Sequence, residues 1–193
     1  MALVAISGAH GTGKSTLIKA LTERIDIVCV GNVMRGIAHD GFGVGPWATP
    51  ETIAEYLRRQ AVSESQNDLH LRNGPIVVSD RCAADGLAYV EANAETGVGV
   101  EWSQADRGWL SRIAHDDVAR FSSVFVCVPD FPLDADHWLS SLGGSYRLEV
   151  HSSLVRFLQG CSTEYYLLQG PLERRIDTVL SWVRSANSGE NDQ

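Results

Sequence analysis

Lysine is nearly missing from this chain: Lys14 and Lys19 are the only two in 193 residues. The N-K-x-D motif by which a GTPase reads guanine is therefore excluded. Basic residues are outnumbered overall, 16 against 24 acids, for a formal net charge of -8. That balance is a poor setting for holding nucleic acid by phosphate neutralisation, though a local basic groove is still allowed. No C-x-x-C pair occurs. Cys29, Cys82, Cys127 and Cys161 stand apart, three of them in apolar runs, and read as buried thiols of a reducing compartment. His39, His70, His115, His137 and His151 form no H-x-x-x-H pair, so no zinc site is read. No segment approaches the roughly 20 apolar residues that cross a bilayer. The short apolar start runs directly into a glycine loop, unlike a signal peptide. The expectation is a cytoplasmic protein with no membrane partner. No repeat, linker or second domain is visible, and the length suits one domain.

What is present is an alternation of short apolar runs and amphipathic stretches. The runs at Ala2–Ser7, Ile27–Val30, Pro75–Ser79, Ser123–Val128 and Glu164–Leu168 read as strands, the first nearly all apolar as in strands covered on both faces. Helices are expected from Thr16 to Arg24, Pro50 to Leu71, Ala83 to Ala94, Gln104 to Ala119, Tyr146 to Leu158, and after Gly170-Pro171 to Arg184. Thr49 and Pro50 form a helix start as N-cap and first-turn proline. Ser103 with Asp106 resembles a capping box. Ile53, Leu57 and Ala61 are expected on one buried face, and Trp102 and Trp109 are expected to pack. The stretch GFGVGPW, Gly41 to Trp47, reads as a loop. The pattern predicts an α/β fold, a parallel sheet with helices on both faces, over residues 1–184, with 185–193 a disordered tail.

Between the first strand and its helix lies GAHGTGKST, and Gly8, Gly13, Lys14 and Ser15 fit GxxxxGK[ST]. Glycines let the backbone curl so that successive N–H groups face an anion, and a helix N-terminus adds its dipole. Lys14 reaches the β- and γ-phosphates, the Ser15 hydroxyl ligates Mg²⁺, and Thr16 is placed for the α-phosphate. Gly11 and Thr12 complete the cradle. His10 is either a contact to phosphate or substrate or a loop residue chosen for fit.

VVSDRC, Val77 to Cys82, puts Asp80 at the carboxyl end of a buried strand, where ligands of doubly wound sheets sit. Asp80 can hold Mg²⁺ through water or accept a proton from an acceptor hydroxyl. Arg81 can grip a phosphate as a rigid fork. Asp85 is an N-terminal helix residue or a second acidic group.

The stretches GAHGTGKSTL, DRCAADGLAY and EYYLLQGPLERRIDTVL resemble the P-loop kinases related to the nicotinamide-riboside kinase domain of the bacterial NAD-biosynthesis regulator, and more widely nucleoside and nucleotide kinases. The similarity extends to about residue 184. It implies the three-layer P-loop NTPase fold with strand order 2-3-1-4-5, ATP and Mg²⁺ as cofactors, and phosphoryl transfer to a small acceptor. Dimers are common among such kinases, which makes a homodimer one expected form. Two departures stand out. Relatives carry Glu in an E-x-x-R pattern after the second strand; here the stretch is Asn32-Val-Met-Arg35, so Arg35 is kept and Asp80 becomes the leading base candidate. Relatives also carry arginines in the lid after the fourth strand. From Asp130 to Tyr146 there are none, only Asp130, Asp134 and Asp136 as charges, which points either to an unusual acceptor or to Arg120 and Arg147 as the residues that stabilise the transferred group.

For the acceptor, Arg58, Arg59 and Gln60 lie on the helix after Thr49. Relatives read a base edge from this helix, and Gln60 offers both a donor and an acceptor; a solvated face is the alternative. Phe42 and Trp47 either stack on a ring or anchor the core. Three readings stay open: a small-molecule kinase acting on a nucleoside, nucleotide or riboside; a kinase acting within a polynucleotide along a groove of Arg35, Arg58, Arg59 and Arg72; and a nucleotide-binding regulatory ATPase.

Overall fold

The computed structural model describes residues 2–31, 33–71, 76–134 and 136–188. Asn32 and Arg72 lie outside them. Five parallel strands form the sheet: β1 (Leu3–Ser7), β2 (Ile27–Val30), β3 (Ile76–Asp80), β4 (Ser123–Cys127) and β5 (Tyr165–Leu168), in the order β2-β3-β1-β4-β5. The apolar composition of β1 reflects its place at the centre. Leu3 pairs with Val77 and Ile6 with Asp80 on one side, and Val4 with Ser123 and Ser7 with Val126 on the other. The register sets Ser7, Asp80 and Cys127 at one edge, the carboxyl end of the sheet.

Helices α1 (Lys14–Thr22), α2 (Val33–His39), α3 (Pro50–Leu71), α4 (Ala83–Thr96), α5 (Gln104–Val118), α6 (Gly143–Gln159) and α7 (Leu172–Ser188) connect and cover the strands. Side chains alternate across a strand, and β1 divides its residues accordingly. Val4 and Ile6 join Leu17 and Leu21 of α1 and Ile176 of α7 in one core. Ala5 joins Leu87 of α4, Leu110 of α5 and Leu154 of α6 in the other. Among the described residues no helix is long and apolar enough to cross a membrane.

Several boundaries differ from the sequence reading. α1 begins at Lys14 rather than Thr16, because the glycine loop feeds straight into the helix from Gly13 in a left-handed conformation. α6 begins at Gly143, and α7 runs to Ser188 instead of ending near Arg184. α2 was not expected; its sequence VMRGIAH carries one fully buried residue, Ile37, too little for a periodic signal. The buried face of α3 is Thr52, Ile53, Tyr56 and Gln60, whereas Leu57 is half-buried and Ala61 exposed. Thr49 caps α3 as expected, its hydroxyl accepting the Thr52 N–H at 3.4 Å. Trp102 packs, buried, with its indole N–H on the Ala48 carbonyl at 3.0 Å.

Candidate active site

β1 ends at the glycine loop, whose backbone adopts conformations that other residues resist. Gly8 has φ +137°, and a Cβ there would stand 2.7 Å from the Cys127 carbonyl oxygen. Gly11 and Gly13 have φ +61° and +81°. With α1 starting at Lys14, the first N–H groups of that helix face the loop.

α4 holds the loop from one side. Asp85 accepts the Gly8 N–H at 3.0 Å through one carboxylate oxygen and the Cys82 N–H at 3.1 Å through the other. The second bond is half of a capping box in which Cys82 is the N-cap of α4. One turn on, the Tyr89 hydroxyl oxygen accepts the His10 N–H at 3.0 Å and lies 3.1 Å from His10 Nδ1. The hydroxyl can donate to Nδ1 or accept from it, according to the tautomer of the ring. Burial, followed by the neighbouring His137, Lys14 and Arg147, holds His10 down to about 3, so its ring is neutral in ordinary solution.

Lys14 is buried and donates to the carbonyls of Gly8 at 2.7 Å and Ala9 at 2.6 Å. Burial and then the nearby Arg81 push its ammonium down to about 7. A loop that holds its lysine on its own carbonyls, at a depressed pKa, is poised to hand that charge to an anion.

A cavity of 420 Å³ opens from Gly11–Thr16, passes Arg81, and reaches a wall of Met34, Val44, Ile53, Tyr56 and Trp138. Trp138 and Trp47 stand together, ring centroids 5.6 Å apart, and are 55% and 43% exposed. Arg81 is the one non-glycine residue with positive φ among the described residues, at +92°. Its carbonyl accepts the Ser79 hydroxyl at 2.7 Å and its guanidinium donates to Asp85 at 3.2 Å. Strain of this kind persists where surrounding contacts over-determine it, commonly at functional sites.

The segment between β4 and α6 lies over the loop. A Cβ at Gly11 would meet the Leu133 methyl at 2.1 Å, and His137 stacks on His10 with centroids 5.4 Å apart. Phe131 lies against two guanidiniums, Arg147 at 5.5 Å and Arg175 at 5.1 Å.

A family model described as an AAA domain matches residues 3–175. The chain belongs to that AAA-domain family. Among solved structures it is similar to the NadR protein in complex with NR, at 21% identity and TM-score 0.74 over 94% of this chain; it spans 51% of that one. It is also similar to the deoxyadenosine kinase from M. mycoides (13% identity, TM-score 0.65, 95% of this chain and 99% of that). The thymidylate kinase from Candida albicans follows at 12% identity and TM-score 0.61, over 96% of this chain and 92% of that. At these identities the likeness is one of fold, and the fold is that of the P-loop kinases. Comparison with curated proteins returned no match.

In this AAA-domain chain the residues singled out from sequence divide into groups. His10, Gly11, Thr12, Gly13, Lys14, Ser15, Thr16, Arg35, Arg81 and Asp85 line the cavity. Gly8 sits behind it, fixed by Asp85. Asp80 ends β3 at 8% exposure, outside the lining. Gln60 is also outside it: the buried amide donates to the Ser79 hydroxyl at 3.0 Å and so supports the Arg81 turn from behind. Arg58 is exposed and forks onto Glu55 at 2.7 Å. Arg147 is buried and bonded to backbone carbonyls, and the Arg120 guanidinium pairs with Asp117. Phe42 and Trp47 are exposed, which rules out their reading as core anchors. Three residues were missed. Tyr56 and Trp138 gave no local signal, and Arg175 was hidden in an amphipathic helix.

Proposed function

We propose that this chain is a kinase that, with Mg²⁺, transfers the γ-phosphoryl group of ATP to a hydroxyl or phosphate of a small acceptor: a nucleoside, nucleotide or related riboside. The observation that carries the reading is the single cavity that joins a phosphate-cradling loop to an aromatic-walled pocket, with Arg81 between them. In-line transfer needs the donor and acceptor side by side, away from water. The likeness in fold to deoxyadenosine kinase and thymidylate kinase supports the same reading.

Mg²⁺ takes hard oxygen ligands and keeps several waters. Among the described residues no three His, Cys, Asp or Glu side chains gather as a cage. The triphosphate oxygens would supply most ligands, with the Ser15 hydroxyl and the Asp80 carboxylate as the protein's donors, and both are of the right chemistry. When bound, the ion neutralises charge on the phosphates. Lys14 leaves the carbonyls of Gly8 and Ala9 for the phosphates, and the loop N–H groups take up the remaining charge. Asp85 is the one carboxylate among the described lining residues, and both its oxygens are engaged. We therefore assign no general base there. Phosphoryl transfer through a loose transition state needs little base assistance, and Asp80 would serve the metal side. Trp47 and Trp138 offer faces on which a planar ring can stack.

Arg58 and Arg59 are neutralised by Glu55 and Asp40, which weakens the polynucleotide reading. All four cysteines are free, in keeping with a cytoplasmic site of action, where ATP is also found.

The test is transfer from γ-labelled ATP to a panel of nucleosides, nucleotides, ribosides and oligonucleotides. A labelled small molecule is expected. Labelled oligonucleotide alone would move the assignment to a polynucleotide kinase. ATP hydrolysis with no acceptor dependence would move it to a regulatory ATPase. Asp80→Asn should lower turnover while ATP still binds.

A further inference from the structure

Two buried arginines grip the glycine loop from the side opposite the cavity. Arg147, on α6, donates from Nε to the His10 carbonyl at 3.1 Å, from Nη2 to the Gly11 carbonyl at 2.9 Å, and from Nη1 to the Phe131 carbonyl at 2.8 Å. Arg175, on α7, donates from Nη1 to the Thr12 carbonyl at 2.7 Å and from Nε to the Gly170 carbonyl at 2.8 Å, and pairs with Asp130. Both are buried, 4% and 3% exposed, and neither lines the cavity that the loop faces.

Three consecutive peptide planes are therefore fixed through their carbonyls. In a trans peptide the carbonyl and the following N–H point in opposite directions, and the described chain has no cis bond. Carbonyls of His10, Gly11 and Thr12 turned toward the arginines thus turn the N–H groups of Gly11, Thr12 and Gly13 the other way, and all three of these residues line the cavity. Gly11 and Gly13 are the loop positions freest to flip. A flipped peptide would offer its carbonyl to an anion and its N–H to a guanidinium, which has five donors and no acceptor. The arginines make that arrangement unfavourable on both sides.

We propose that Arg147 and Arg175 are positioning residues that preset the phosphate-binding amides of the loop and so set its affinity for a triphosphate chain without touching it. The proposal rests on the kinase reading for the identity of the anion. It also explains an arginine-free lid: the cationic work is done from behind the loop, through the backbone.

The test separates orientation from charge. Arg147→Lys and Arg175→Lys keep the charge and lose the fork. Both should weaken binding of ATP and of inorganic tripolyphosphate by the same factor, about tenfold, with acceptor KM unchanged. Lysine variants that keep wild-type affinity for both ligands overturn the proposal. Should a variant fail to fold, the wild-type protein decides by NMR. Tripolyphosphate should shift the Gly11, Thr12 and Gly13 amide protons while the Arg147 and Arg175 Nε–H signals stay in place. Movement of those guanidinium signals onto the anion would overturn it. A wild type that binds tripolyphosphate but labels no acceptor fails the kinase reading alone; one that binds neither ligand fails both.

Discussion

The carboxylate of Asp85, in the first turn of α4, accepts the N–H of Gly8 at 3.0 Å and so joins the start of the glycine loop to the start of the helix that follows β3. Its second oxygen caps Cys82, and Arg81 adds a third partner at 3.2 Å. Asp85→Ala strands two backbone donors and one guanidinium in a buried place. The expected cost is about 3 kcal/mol of stability, read as a lower urea midpoint at unchanged slope. Asp85→Asn keeps a carbonyl acceptor and loses the charge, so its cost should be smaller, about 1–2 kcal/mol. An alanine variant within about 0.5 kcal/mol of wild type would show that the carboxylate does not hold the loop.

Lys14 gives a proton-linked signature. In the folded protein burial and Arg81 hold its pKa at about 7, against about 10.4 in an unfolded chain. The folded value is the lower one, so the unfolded chain binds more protons between those limits. The contribution of this group to folding stability therefore rises with pH across that window. A bound triphosphate reverses the balance and returns the proton. ATP binding near pH 8 should take up close to one proton, and affinity should fall as pH rises above about 7. Calorimetry in buffers of different ionisation enthalpy measures the uptake, and Lys14→Ala should abolish it. Buffer-independent heats for the wild type would contradict the assignment.

The strands and the glycine loop were legible because each is encoded locally: apolar runs of strand length, glycines at fixed offsets, and a lysine–serine pair at a helix start; the strand order came from the family resemblance alone. The face of α3 was not. Tyr56 and Gln60 are polar or amphipathic residues buried among tertiary partners, and hydrophobic periodicity pointed to Leu57 and Ala61 instead. Asp85 was legible as a helix-start acid, but its bond to Gly8 depends on a contact across the sheet. Arg147 was noticed and given direct phosphate work, whereas its bonds go to His10, Gly11 and Phe131 carbonyls. Such roles depend on three-dimensional proximity between distant segments, which no spacing in the chain encodes. Asn32, where the sequence departs from E-x-x-R, lies outside the described residues.

Gly11 tests the lid. An alanine there brings its methyl to within 2.1 Å of Leu133 and holds a left-handed φ of +61°. The collision with a side-chain tip can be relieved from the other partner, while the backbone strain, about 1 kcal/mol, cannot. Gly11→Ala should therefore weaken ATP binding, and Gly11→Ala with Leu133→Ala should recover part of the loss. Binding is read by titration calorimetry. Equal affinities for the single and double variants would mean that Leu133 does not press on the loop.

The neutral His10 predicts an acid limb in the stability curve. Burial, then His137, Lys14 and Arg147, keep its folded pKa at about 3, while an unfolded histidine titrates near 6.5. The folded value is again the lower one. Between about pH 6.5 and pH 3 the unfolded chain holds the extra proton, so stability falls as pH drops through that range, by about 1 kcal/mol per unit for this group. His10→Gln removes the titration and keeps a side chain able to meet the Tyr89 hydroxyl. From about pH 7 to about pH 4 the wild-type urea midpoint should fall relative to the variant's, because the variant lacks the histidine's share of the acid loss. Parallel pH curves for wild type and His10→Gln would mean that His10 titrates alike in the folded and unfolded chains, and that the buried, Tyr89-bonded ring does not resist its proton.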